Sequence, residues 1–290
     1  MSRIRTFLHM IRFEHTIFAL PFAYMGMVIA WGSWDNANWR DFFWITVAMV
    51  AARTAAMALN RYIDRTIDVG NPRTAGRPIQ LGTIDATAVL LWAILSLVVL
   101  GLAAWMLDPL AFFLFPGAMI FLVGYAYTKR FTWLCHYILG FTDGLAPAGA
   151  WVAVRGSIFT AGDLPAWLLL GAVTLWIGGF DVLYACQDVE FDRRTGLHSI
   201  PARFGIPAAL RVAAASHLLT VLLMAGLAVT SGLSWPYWLG LAVMAALLAY
   251  EHALVRPDDL SKLNIAFFNI NGYVSVTIFM ATLAAILVPG

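Results

Sequence analysis

The chain has 290 residues, 61% of them hydrophobic and 12% charged, with a formal net charge of +2 and a mean hydropathy of +0.79. A soluble globular domain carries roughly 25% charged residues, so a water-soluble enzyme is excluded, and nothing in the sequence marks a nucleic-acid binder. Runs of this length without strand alternation exclude a barrel and leave only helices to cross a bilayer.

Stretches of about 20 apolar residues fall at 16–33, 42–60, 86–106, 109–128, 134–154, 165–184, 208–231, 235–254 and 265–288. They predict an all-α, polytopic membrane protein: nine transmembrane helices around a central cavity open to the cytoplasmic face. No linker or composition break divides them, so residues 1–290 read as a single domain.

Residues 1–13, with Arg3, Arg5 and Arg12, read as a segment on the membrane surface and not as a cleavable signal peptide. The second span holds Arg53 and runs into Asn60-Arg-Tyr-Ile-Asp64-Arg-Thr-Ile-Asp68. On a helix, i,i+4 spacing puts Asn60, Asp64 and Asp68 on one broad stripe, with Arg53 deepest in the membrane. A basic loop rich in Gly and Pro follows and carries Arg73 and Arg77; guanidinium groups and flexible backbone suit a phosphate.

The fourth span ends in Tyr125-Ala-Tyr-Thr-Lys129-Arg130. Tyr125, and Tyr184 further on, stand where aromatic faces could shield an allylic cation. The interfacial belt is the other reading for such residues, and the preferred one for Tyr127. In the fifth span Asp143 has no evident partner, and Cys135 and His136 read as structural. The sixth span carries Asp181 and Tyr184 and ends in Asp188-Val-Glu-Phe-Asp192, a second i,i+4 acidic pair. Its sequel, with Arg193, Arg194 and Arg203, echoes the loop after Asp68. Cys186 reads as a packing residue, His217 as structural or interfacial; Glu251 and His252 near the end of the eighth span line the cavity or pair with buried donors.

Of the 18 basic residues, only Arg40 and Arg155 fall in loops opposite to the rest, while Arg53 lies inside a span. The positive-inside rule therefore puts the N-terminus and both acidic motifs at the cytoplasmic face of the cell's inner (plasma) membrane. Two carboxylate pairs facing each other there could hold Mg²⁺, which is commonly shared between one or two carboxylates and substrate phosphates. Simple interhelical pairing, such as Arg53 with Asp181, is the plainer alternative, but it does not account for matched acidic pairs with basic loops beyond them.

The motifs resemble those of the UbiA family of intramembrane aromatic prenyltransferases. The likeness rests on N-x-x-x-D-x-x-x-D after the second span, D-x-x-x-D after the sixth and Y-x-x-x-K-R after the fourth. Arg12-Phe-Glu-His-Thr-Ile-Phe-Ala-Leu-Pro21 and Tyr184-Ala-Cys-Gln-Asp-Val-Glu-Phe-Asp192 are similar to the 4-hydroxybenzoate polyprenyltransferase branch, which includes enzymes assigned to the futalosine route to menaquinone. Arg61 departs from the pattern, standing where many members have an acidic residue.

The resemblance implies that Asn60, Asp64, Asp68, Asp188 and Asp192 hold Mg²⁺ on a polyprenyl diphosphate. Arg77, Lys129 and Arg73 would neutralise the leaving group, with Arg130, Tyr125 and Tyr184 also binding the substrate. Arg53 would hold the carboxylate of the aromatic acceptor, and Asp181 would orient its hydroxyl or take a proton. Catalysis would centre on Asp64, Asp188, Asp181 and Arg53. The implied acceptor is 4-hydroxybenzoate, with 1,4-dihydroxy-6-naphthoate as runner-up, in ubiquinone or menaquinone biosynthesis. Membrane lipids surround the chain, and no obligatory protein partner is inferred. A transporter or cation channel is the rival from another class, but acidic residues gathered at one face favour the enzyme.

Overall fold

A computed structural model of the chain describes Phe7 and residues 19–288. Apart from Phe7, the expected surface segment 1–13 with Arg3, Arg5 and Arg12 and the beginning of the first span lie outside the described residues. Within them all regular structure is helical, apart from one isolated bridge between Arg256 and Asp259.

The long helices are α1 (Leu20–Trp31), α2 (Trp39–Ile63), α3 (Ala86–Leu107), α4 (Pro109–Thr128), α5 (Cys135–Arg155), α6 (Leu164–Ala185), α7 (Ile206–Ser231), α8 (Trp235–Leu254) and α9 (Asn271–Leu287). Proline in the first turn starts α1, α4, α6, α7 and α8, where its missing N–H costs no helical hydrogen bond. A π-helical turn, Ile265–Ile270, leads into α9.

Seven helical segments among the described residues are long and apolar enough to cross a membrane, so the chain is a multi-pass membrane protein. The expected count of nine is not reached by that criterion. As described, α1 has only 12 residues. Helix α5 is long enough, but His136, Thr142, Asp143 and Pro147 dilute its hydropathy.

The outer faces are apolar and exposed: Phe113 keeps 77% of its surface and Ile120 72%, as expected of side chains turned to lipid. Trp39, Trp105 and Trp235 are exposed at the helix ends remote from the acidic motifs, an aromatic belt on that side. Inside, Trp176 is fully buried between Phe22, at a centroid distance of 4.8 Å, and Phe180, at 5.1 Å.

The α5–α6 pair is the closest approach that matters for the site. A Cβ on Gly140 would lie 2.2 Å from the Thr174 carbonyl oxygen, and one on Gly144 2.8 Å from that of Leu170. Small residues four apart thus let two backbones touch, as membrane helices require when no hydrophobic effect drives them together. One turn away Gly178 receives the ring of Tyr137, and the same antiparallel register brings His136 to Asp181.

Candidate active site

Both acidic motifs interrupt their helices. Helix α2 stops at Ile63, and Asp64 (φ −88°, ψ 3°) joins it to the short turn Arg65–Asp68. Helix α6 stops at Ala185, passes through a 3₁₀ turn, Cys186–Asp188, and resumes as Val189–Thr195, with Asp188 at φ −100°, ψ 6°. The first carboxylate of each pair therefore sits in the same sparsely populated bridge region of backbone space. This differs from the unbroken helical stripes expected from the spacing, and it strengthens the echo between the two motifs.

The breaks turn the carboxylates toward one another through a set of cations. Arg73, from the loop after the first motif, grips Asp188 of the second with two bonds, Nη2 to Oδ2 at 2.6 Å and Nε to Oδ1 at 3.2 Å. Asn71 adds a third, Nδ2 to Oδ1 at 3.1 Å. Arg77 pairs with Asp68. The segment after α4 divides its cations between the motifs: Lys129 Nζ lies 2.8 Å from Asp192 Oδ1, and Arg130 Nη2 lies 3.1 Å from Asp64 Oδ1. Asn60 donates to Asp64 Oδ2 at 3.1 Å, and Ser199 to Asp192 Oδ2 at 2.8 Å.

Each of the four carboxylates thus faces one cation, and three of those pairs join segments distant in the chain. Asp192 is fully buried, and apart from the Lys129 ion pair its Oδ1 has no hydrogen-bond partner among the described residues. Burial opposes the Lys129 ammonium, yet Asp192 beside it holds its pKa above the usual lysine value. Asp64 behaves oppositely: burial, helped by the neighbouring Asp68 charge, pushes its carboxyl up to about 6 despite Arg130.

Below this layer lies a second polar zone. Arg53 and Asp181 each precede the first carboxylate of their own motif, Asp64 and Asp188, by a helical distance of about 10 Å or more at 1.5 Å per residue. Arg53, Tyr125 and Asp143 lie close enough to act on one another electrostatically, and Asp143 also senses Asp181. Arg53 keeps a buried Nε without a hydrogen-bond partner among the described residues. The Arg53–Asp181 pair does not form a salt bridge; Asp181 instead meets His136, Oδ2 to Nδ1 at 2.6 Å. The Tyr125 hydroxyl donates to the Ala56 carbonyl at 3.1 Å, tying α4 to α2, and Arg73 stacks over the Tyr184 ring at 5.3 Å.

The structure therefore brings the sequence-derived residues into two layers, acid and base above, Arg53 and Asp181 below. Arg193 leaves the set, donating to the Ala202 carbonyl at 2.8 Å. Asn71, Ser199 and His136 join it. Ser199 had one local signal, since Ser-x-Pro marks a helix start and it caps Ile200–Phe204; Asn71 and His136 had none, because their partners lie more than a helix away in sequence.

A cleft of about 610 Å³ opens on the outer side of the two acidic turns, lined by Thr66, Ile67, Arg130, Phe191, Arg194 and Leu197 among others. None of the four carboxylates lines it. The available ligand atoms, carboxylate and amide oxygens, suit a hard cation such as Mg²⁺. Among the described residues no three His, Cys, Asp or Glu side chains converge into a ready-made metal centre. A cation would need oxygens from a polyanionic ligand to complete its shell, and such a ligand would also satisfy the four basic residues.

Comparison with known proteins points the same way. The model of the UbiA prenyltransferase family matches residues 19–273. The chain is 33% identical over 238 residues to the 4-hydroxybenzoate octaprenyltransferase of Alcanivorax borkumensis, covering 81% of this chain and 79% of that protein. The apo UbiA homolog of Aeropyrum pernix K1 superposes with a TM-score of 0.85 at 31% identity, over 93% of this chain and 98% of its own. A UbiA homolog from Archaeoglobus fulgidus, bound to DMAPP and Mg²⁺, shares the fold at a TM-score of 0.68 and 19% identity, over 98% and 100% of the two chains.

Proposed function

The chain belongs to the UbiA prenyltransferase family, and from that premise we propose that this prenyltransferase moves a polyprenyl group from its diphosphate to 4-hydroxybenzoate. The single domain works at the cytoplasmic face of the inner membrane, with its N-terminus inside. The observation that carries this reading is the lattice of four carboxylates and four cations drawn from both motifs and the segment after α4.

Asn60, Asp64, Asp68, Asp188 and Asp192 would hold Mg²⁺; that a UbiA homolog from Archaeoglobus fulgidus is bound to DMAPP and Mg²⁺ supports the choice of metal. When bound, Mg²⁺ supplies positive charge to the oxygens of the departing diphosphate. Arg73, Arg77, Lys129 and Arg130 turn from the carboxylates to the phosphate oxygens, so charge that grows on the leaving group meets preorganised cations. The allylic C–O bond breaks with its electrons on the diphosphate, the prenyl carbon bonds to a ring carbon of the acceptor, and the ring proton leaves to base.

Arg53 holds the acceptor carboxylate with its planar fork of donors, and Asp181 receives the acceptor hydroxyl. Tyr184 lines the same space, and Tyr125 anchors its wall. The acceptor lies about 10 Å deeper than the diphosphate, the depth difference between Arg53 and Asn60 on one helix. The name of the Alcanivorax borkumensis relative favours 4-hydroxybenzoate over 1,4-dihydroxy-6-naphthoate.

Purified protein in lipid, given a polyprenyl diphosphate, Mg²⁺ and each acceptor in turn, tests this by mass spectrometry of the products. Prenylated 4-hydroxybenzoate, absent when EDTA is added, is the expected result. Prenylation of the naphthoate alone would contradict the acceptor, and transfer to neither would contradict both.

A further inference from the structure

Asp181 is held by a histidine that the sequence presents as a plain structural residue. The His136 side chain is 2% exposed, with Nδ1 2.6 Å from Asp181 Oδ2. Its other nitrogen, Nε2, accepts the Ile200 backbone N–H at 3.2 Å. A ring nitrogen that accepts from an amide carries no proton of its own, so the Ile200 amide fixes the tautomer with hydrogen on Nδ1, aimed at the carboxylate.

The surroundings lock this arrangement. The Gly140 and Gly144 contacts set α5 directly on α6, and Gly178 leaves room for the Tyr137 ring beside His136. On the far side of the imidazole, Ile200 follows Ser199, whose hydroxyl donates to Asp192 Oδ2. The neighbouring His198 amide donates to the Lys129 carbonyl at 2.7 Å. His136 therefore stands between the deeper polar zone and the loop that frames the second acidic motif. Asp181 keeps 28% of its side-chain surface, and its Oδ1 has no hydrogen-bond partner among the described residues.

We propose that His136 is a positioning residue: its Nδ1–H fixes one oxygen of Asp181 so that the other, Oδ1, receives the hydroxyl of the aromatic acceptor. The inference rests on the prenyl-transfer reading and adds to it the group that aims Asp181. Partners that orient metal-bound histidines and carboxylates typically contribute about 10–100-fold to metal affinity or activity, and the same scale is expected for a partner that aims Asp181.

Two substitutions separate the two ends of the ring. In H136N the side-chain amide can reproduce the Nδ1 donor but not the Nε2 acceptor; in H136Q the amide reaches the Nε2 position and leaves Asp181 without its donor. The expected result is near wild-type kcat/KM for the acceptor in H136N and a loss of about 10–100-fold in H136Q, with the affinity for the prenyl diphosphate and the thermal midpoint alike in both variants. Equal losses in the two variants, or loss in H136N with full activity in H136Q, would overturn the proposal, because His136 would then serve only the Ile200 loop. A wild-type protein that binds the diphosphate yet transfers to no acceptor would instead sink the underlying reading, so the two failures are told apart.

Discussion

The four site carboxylates share one chemistry but not one environment. Asp68, Asp188 and Asp192 are buried against cations, whereas the Asp64 side chain keeps 23% of its surface and its carboxyl is raised to about 6 by burial and by Asp68. A carboxyl must lose its proton to ligate a metal. Turnover, followed as kcat/KM against pH, should therefore be flat above about 7 and fall roughly tenfold per unit below 6 as Asp64 protonates. Arg130 pulls that pKa down, so R130Q should move the acid limb to higher pH. For the metal-free chain the linkage has the opposite sense: the folded state binds the extra proton between the ordinary 3.8 and about 6, so stability falls as pH rises through that window.

At the scale of the element, the α5–α6 contact decides whether the two layers exist. Gly140→Val would drive a Cβ to 2.2 Å from the Thr174 carbonyl oxygen, a backbone atom that cannot swing aside. The expected cost is about 1–3 kcal/mol, read as a lower thermal midpoint together with loss of transfer, because His136 and Asp181 separate. Gly149→Ala on the same helix meets nothing within 4 Å and should leave both unchanged. Much of this was legible in advance. The limits of α3, α4 and α8 follow the apolar runs almost to the residue, since in lipid a helix must continue wherever the chain is apolar. The acidic pairs declared themselves by composition, being carboxylates in a chain with so few charges. The helix breaks at Asp64 and Asp188 did not, because i,i+4 spacing is equally compatible with an unbroken helix. Nor did the Arg73–Asp188 grip or the role of His136, which depend on how helices distant in sequence meet.

For the whole molecule, the arrangement implies one functional side and one quiet side. Cys135 and Cys186 are buried, so new cysteines report position. Thr195→Cys, exposed beside the second motif, should react with a membrane-impermeant thiol reagent only from the cytoplasm; Asp35→Cys, exposed between α1 and α2, only from outside. Labelling of both from one side would contradict the topology. If the two motifs make one site that is completed by its substrate, metal and diphosphate bind together. Mn²⁺ binding, followed by electron paramagnetic resonance with and without a non-hydrolysable prenyl thiodiphosphate, tests this coupling. Mn²⁺ should bind weakly alone and tightly with the diphosphate, and the tight binding should be lost when either Asp64 or Asp188 becomes Ala. Tight binding without the diphosphate, or tight ternary binding that survives either substitution, would contradict a shared site.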